Sequence, residues 1–190
     1  GSGVTGDQYC HVRVVALAEN GDLYVGGLFT QAGGAPAGNI ARWDGSAWWP
    51  LGSGVDSNVD GIFVRGTDVF VSGSFRTAGG LTVNGVAKWD GASWSALGSG
   101  LWAIDENNNL RGTGNSIVVS ARGVIVGGFF TRAGRKPSDN IGLWHEPAPD
   151  LVLSKTATPA SLPAGDPLSY ILAVANVGAE TAPSIVLPDT

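Results

Sequence analysis

The sequence predicts an all-β protein assembled from repeated four-stranded units, and three observations carry that prediction. One phrase occurs three times: LYVGGLFTQAGG over residues 23–34, VFVSGSFRTAGG over 69–80 and VIVGGFFTRAG over 124–134. Aligned on Val25, Val71 and Val126, it places a glycine two residues later each time (Gly27, Gly73, Gly128). A phenylalanine follows four residues after the valine (Phe29, Phe75, Phe130), and a tryptophan eighteen residues after it (Trp43, Trp89, Trp144). Self-similarity at a spacing of tens of residues marks a repeat architecture. Composition agrees, because 30 glycines, 7 tryptophans and no long apolar run suit short strands joined by tight turns. Asn20-Gly21, Asp44-Gly45 and Asp90-Gly91 supply the turns, each carrying a residue pair that favours reversal.

Taken in order, Gly1-Ser2-Gly3-Val4 matches Gly52-Ser53-Gly54-Val55 and Gly98-Ser99-Gly100-Leu101, which each follow a completed unit. It reads as the tail of a preceding unit, with a cloning remnant as the alternative. With no methionine and no signal peptide, residue 1 reads as the start of a processed or excised piece. Residues 12–18 alternate only loosely and are rich in β-branched residues, which predicts a strand buried on both faces. Glu19-Asn20-Gly21-Asp22 predicts a type I′ hairpin turn. Strands follow over 23–29, 39–44 and 47–51, with a Gly- and Ala-rich loop over 31–38 and a turn at Asp44-Gly45. The second unit repeats them over 59–65, 69–75, 85–90 and 93–97.

The third unit is stretched. Val126 lies 55 residues after Val71, whereas Val71 lies 46 after Val25. The surplus falls within LWAIDENNNLRGTG, residues 101–114, which predicts a loop insertion. The unit also stops early: Ile141-Gly142-Leu143-Trp144 runs into His145-Glu146-Pro147-Ala148-Pro149 with no second tryptophan, so a fourth strand is not expected. Beyond Asp150 aromatics almost vanish, and strands are predicted over 151–156, 168–176 and 184–187. Three strands in about 40 residues are roughly half of an immunoglobulin-like sandwich.

Successive four-stranded units of this length are the sequence form of a β-propeller, in which neighbouring sheets bury each other's faces. The phrases LYVGGLFTQAGG…NIARWDGSAWWPLGSGV and VFVSGSFRTAGG…NGVAKWDGASWSALGSGL resemble the kelch-like blades of galactose-oxidase-type propellers, especially those of bacterial secreted proteins and of fungal cortical polarity-marker proteins. The tail DLVLSKTATPASLPAGDPLSYILAVANVG resembles the Ig-like repeat of bacterial surface proteins known as domain of unknown function eleven. These resemblances imply a partial propeller of about three blades (5–52, 55–98 and 101–146), a Pro-rich linker at 147–150, and the first part of an Ig-like sandwich over 151–190. They also imply an exported, extracellular or cell-surface setting. The copper site of galactose oxidase does not carry over, because Tyr9, Tyr24 and Tyr170 form no matching set with a cysteine and histidines.

The net charge of −5 is spread out, which argues against a nucleic-acid surface. Only Arg132, Arg135 and Lys136 cluster, and their plain reading is a solvated loop. No apolar run is long enough to span a membrane. Cys10 is the single cysteine, so no intrachain disulfide forms. It reads as an unreactive thiol, or as one that pairs with another chain.

Aromatic faces stack on sugar rings, yet Trp43, Trp89 and Trp144 recur at one place per unit, as packing residues must, and so do Trp48 and Trp94. Trp49 and Trp102 do not recur, which makes them the candidates for an exposed contact. Gly26-Gly27 and Gly127-Gly128 lack the strand-to-helix setting of a phosphate loop and read as sites of close backbone approach or a bulge. Asp105-Glu106-Asn107-Asn108-Asn109 is oxygen-rich and a weak calcium candidate without the spacing of a calcium loop. Asp44 and Asp90 read as caps of their own turns. His11 and His145 build no catalytic triad or metal set.

The expected function is therefore a non-enzymatic surface platform without cofactors, in contact with other copies of itself, surface proteins or glycans through its unrepeated residues. Two alternatives stand beside it: a self-assembling filament or sheath subunit that uses strand complementation, and a fragment of a secreted carbohydrate-active enzyme.

Overall fold

The computed structural model describes residues 3–103, 112–145, 151–158 and 169–176, and the chain divides into two compact bodies, Gly1–His145 and Glu146–Thr190. All regular structure among these residues is β, arranged in antiparallel sheets, with no helix. In the first body each copy of the repeated phrase forms the second strand of one sheet. The first sheet is a four-stranded meander of His11–Leu17, Leu23–Leu28, Ile40–Trp43 and Trp48–Pro50. The second runs the same way through Val59–Arg65, Asp68–Gly73, Val86–Trp89 and Trp94–Ala96. The third has three strands among the described residues, Thr113–Ser120, Gly123–Phe129 and Ile141–Trp144.

Register explains the repeated glycine. Each first strand carries a bulge, with Arg13, Asp60 and Asn115 as the extra residues. There the neighbouring backbone closes on the second strand: a methyl group at Gly27, Gly73 or Gly128 would lie 2.1, 2.0 or 2.0 Å from the carbonyl oxygen of His11, Asn58 or Thr113. No side chain fits at that distance, so the position admits only glycine. Fourteen residues after each aligned valine the chain turns left-handed, at Asn39 (φ 64°), Gly85 (φ 77°) and Asn140 (φ 64°). Asparagine and glycine are the residues that tolerate this conformation. In all three units the backbone N–H there donates to the phenylalanine carbonyl (Phe29, Phe75, Phe130), and its carbonyl accepts from the phrase's glycine.

Because side chains alternate across a strand, each sheet offers one face to its predecessor and one to its successor. Tyr24 and Ile40 of the first sheet meet Ile62, Val69, Val71 and Ala87 of the second in one core. Phe70 and Val86 from the other face of the second sheet meet Ile117, Val124 and Val126 of the third in another. Phe29, Phe75 and Phe130 are all buried, and each such burial contributes about 1.5–3 kcal/mol. The tryptophans tie a sheet to the chain before it. The Trp94 indole donates to the Leu51 carbonyl at 2.9 Å, and Trp89 and Trp144 pack on Gly52 and Gly98. Trp43–Trp48 and Trp89–Trp94 form tilted pairs with centroids 5.3 and 5.4 Å apart.

Several expectations need correction. The 31–38 loop contains paired backbone: Gln31–Ala32 pairs with Ala35–Pro36, and Val4–Thr5 adds a third strand. The segment before each unit makes the same bond, from Gly33 to Gly3, Gly79 to Gly54 and Gly134 to Gly100. For the same reason Leu101–Trp102 is a strand rather than loop, and Thr113 and Gly114 belong to the third sheet. The turn after the first strand is not type I′, since Gly21 alone takes positive φ there, and the Asn20 side chain instead accepts from the Asp22 N–H at 3.1 Å. His11–Leu17 is not buried on both faces, because Val12, Val15 and Leu17 are exposed. In the second body, Leu151–Thr158 and Ser169–Asn176 form one antiparallel hairpin in unbroken register from Leu151↔Asn176 to Thr158↔Ser169. The third strand expected at 184–187 lies outside the described residues.

Candidate functional site

Where the first unit has Trp49, the second has Ser95, so the indole there serves no repeated packing role. Trp49 is 49% exposed at the end of the first sheet. Its ring is nonetheless fixed, because its Nε1 donates to Asp44 Oδ2 at 2.7 Å. Asp44 is fixed in turn by its own Asp-Gly turn, in which Oδ1 accepts from the backbone N–H groups of Ser46 and Ala47, both at 2.8 Å. The Ala47 N–H foremost, then the Ser46 hydroxyl and the Trp49 indole, holds the Asp44 carboxyl far below the usual carboxylate range. Asp90 caps the equivalent turn through Ala92 and Ser93 and is lowered for the same reason, the Ser93 N–H leading.

Trp49 borders a cleft of about 290 Å³ between the first and second sheets, with Asp22, Tyr24, Arg42, Thr67 and Trp89 also in its lining. Asp22 Oδ2 accepts from Asn20 Nδ2 at 3.0 Å and from Arg42 at 3.2 Å. Burial raises the Tyr24 hydroxyl above its ordinary value, so it stays protonated and can donate. The cleft thus combines two indoles with an amide, a carboxylate, a guanidinium and hydroxyls. Its carboxylate, Asp22, is paired with Arg42. The arrangement sets apolar ring faces beside groups that donate and accept hydrogen bonds.

The other predicted contact residues fall elsewhere. Arg135 and Lys136 are exposed and line a shallow cleft of about 540 Å³ with Gly134, Leu143, Trp144 and His145. Arg132 is exposed beside it in the short strand that pairs with Trp102. Trp102 is partly buried, and its Nε1 donates to the Ser99 carbonyl at 2.7 Å. Trp89 and Trp144 are half-buried against the end of the preceding unit, and Trp43 is half-buried beside Trp48 of its own sheet. Asp105 and Glu106, the weak calcium candidates, lie outside the described residues. Among the described residues no group of three His, Cys, Asp or Glu side chains could hold a metal ion.

No protein-family model, curated protein or solved structure matches the chain. What sequence reasoning missed at the cleft is the pair Asp22–Arg42. Its signal is present, since an acidic and a basic residue recur twenty places apart as Asp22–Arg42 and Asp68–Lys88, paired at 3.2 and 3.3 Å. The third unit has Gly123 and Leu143 at the same places.

Proposed function

We propose that this chain is a non-enzymatic, extracellular or cell-surface binding platform whose first body is a segment of a kelch-like propeller and whose tail begins an Ig-like spacer. Support for the propeller reading comes from three antiparallel meanders stacked in chain order, face against face. The tail's hairpin suits the opening of an Ig-like sandwich without distinguishing it from other sheets. The ligand is a glycan, and one observation carries that choice: Trp49 is a non-repeating, half-exposed indole, fixed by Asp44 beside hydrogen-bonding groups. An apolar ring face beside fixed donors and acceptors is what a pyranose, apolar on its faces and polar at its rim, requires.

The test is isothermal titration of the chain with a panel of neutral and acidic oligosaccharides, repeated on Trp49→Ala and on Arg135→Ala/Lys136→Ala. Binding of a neutral sugar that Trp49→Ala removes and the double variant keeps supports the reading. No sugar binding across the panel, or binding that survives Trp49→Ala, overturns it.

A further inference from the structure

The sequence has two Asn-Gly pairs, Asn20-Gly21 and Asn84-Gly85, and the fold gives them opposite settings. Glycine carries no side chain to shield its backbone nitrogen, so that nitrogen can reach the Cγ of the asparagine before it. Asn20-Gly21 lies in the turn between the first two strands of the first sheet, with both residues exposed, and a Cβ built on Gly21 would meet nothing within 4 Å. The corresponding turns of the other sheets, Gly66-Thr67 and Ala121-Arg122, are exposed as well, although another sheet packs in front of each. Exposure therefore belongs to this turn in every unit.

The neighbours of the Asn20 amide suit attack on it. The Asp22 N–H donates to its Oδ1 at 3.1 Å, the oxygen on which negative charge develops when a nucleophile adds to Cγ. Asp22 Oδ2 accepts from its Nδ2 at 3.0 Å and so holds the side chain in place. The Gly21 N–H is tied only to the Ala18 carbonyl at 3.0 Å, a turn bond at the surface that opens at little cost. Asn84 is only 7% exposed, its Nδ2 donates to the Ser99 carbonyl at 3.0 Å, and the Gly85 N–H donates to the carbonyl of buried Phe75 at 2.7 Å. That pair is locked and screened from water.

We propose that Asn20 is a self-modification site. The Gly21 nitrogen gives up its proton and bonds to Asn20 Cγ; the Cγ–Nδ2 bond breaks, and Nδ2 leaves with a proton as ammonia. Water then opens the resulting succinimide at either carbonyl, giving aspartate or isoaspartate, with no oxidant or reductant required. Asn20 lines the cleft bordered by Trp49, so the product sets a second carboxylate beside Asp22 and removes the Nδ2 bond to it. The modification stands whether or not that cleft takes a sugar.

The full chain is incubated in mildly alkaline buffer, folded and in guanidinium chloride, then cut with trypsin. Mass spectrometry follows residues 14–42, which hold Asn20, and residues 77–88, which hold Asn84, with fragmentation locating any exchange of amide for acid. In the folded chain Asn20 should convert no more slowly than in denaturant, while Asn84 stays an amide; in denaturant both should convert. Asn20→Asp should abolish the mass gain of the first peptide. Asn20 that stays an amide or converts more slowly when folded overturns the proposal. So does Asn84 converting alongside it in the folded chain, Asn84 staying an amide in denaturant, or a gain that persists in Asn20→Asp.

Discussion

Arg13 and Asp60 meet at 2.5 Å across the first two sheets, and each is the extra residue of the bulge in its own first strand. A bulge re-aims the side chain it adds. Here two bulges at equivalent positions aim opposite charges at each other across the two sheets.

A double-mutant cycle on Arg13→Ala and Asp60→Ala should give a coupling of about 0.5–1 kcal/mol, weaker in high salt, because Arg13 is half exposed. Urea unfolding at two salt concentrations measures it. Zero coupling at low salt would mean that the pair plays no part in aligning the sheets.

Gly73→Ala should destabilise by about 2–3 kcal/mol or more. The new methyl would sit 2.0 Å from the Asn58 carbonyl, and that atom belongs to backbone that cannot swing aside. The midpoint of chemical unfolding checks this.

Ser72→Ala should stabilise by up to about 1 kcal/mol. The Ser72 hydroxyl is fully buried and has no hydrogen-bond partner among the described residues, where the other two units carry Gly26 and Gly127. Removing an unsatisfied hydroxyl while keeping Cβ recovers its desolvation cost. A higher thermal midpoint is the expected result.

Acid should weaken the turns at Asp44 and Asp90. Folding lowers both carboxyls below their unfolded value, so their contribution is complete above about pH 4. It declines as pH falls below that value toward the lower folded one, as linkage requires. Asp44→Asn removes one titrating group. Between pH 4 and pH 2 the variant should therefore lose less stability than the wild type, read by urea unfolding at each pH.

Much of this was legible in the sequence because repetition shows which residues packing needs. Gly27, Gly73 and Gly128, the three phenylalanines, and the turns at Asp44 and Asp90 could all be read from spacing alone. Three features were not. Pairing within 31–38 is a backbone interaction between Ala, Gly and Pro residues, whose side chains give no strand pattern. The exposure of Val15 and Leu17 depends on what packs on the sheet, which a strand's own apolar residues do not encode. The strand at Leu101–Trp102 was hidden for a like reason: Leu101 stands where Val4 and Val55 do and Trp102 where Thr5 does, a backbone pairing that these side chains do not announce.

The proposed function assigns packing to the repeated residues and contact to the unrepeated, exposed Trp49. Adjacent positions of one strand type test this division: Trp94, buried and bonded to Leu51, and Trp49, half exposed on its turn. Urea unfolding of Trp94→Ala and Trp49→Ala against the wild type is the direct measurement. A loss of about 3–5 kcal/mol for Trp94→Ala beside a loss within about 1 kcal/mol for Trp49→Ala is the predicted result. Comparable losses for both would contradict it.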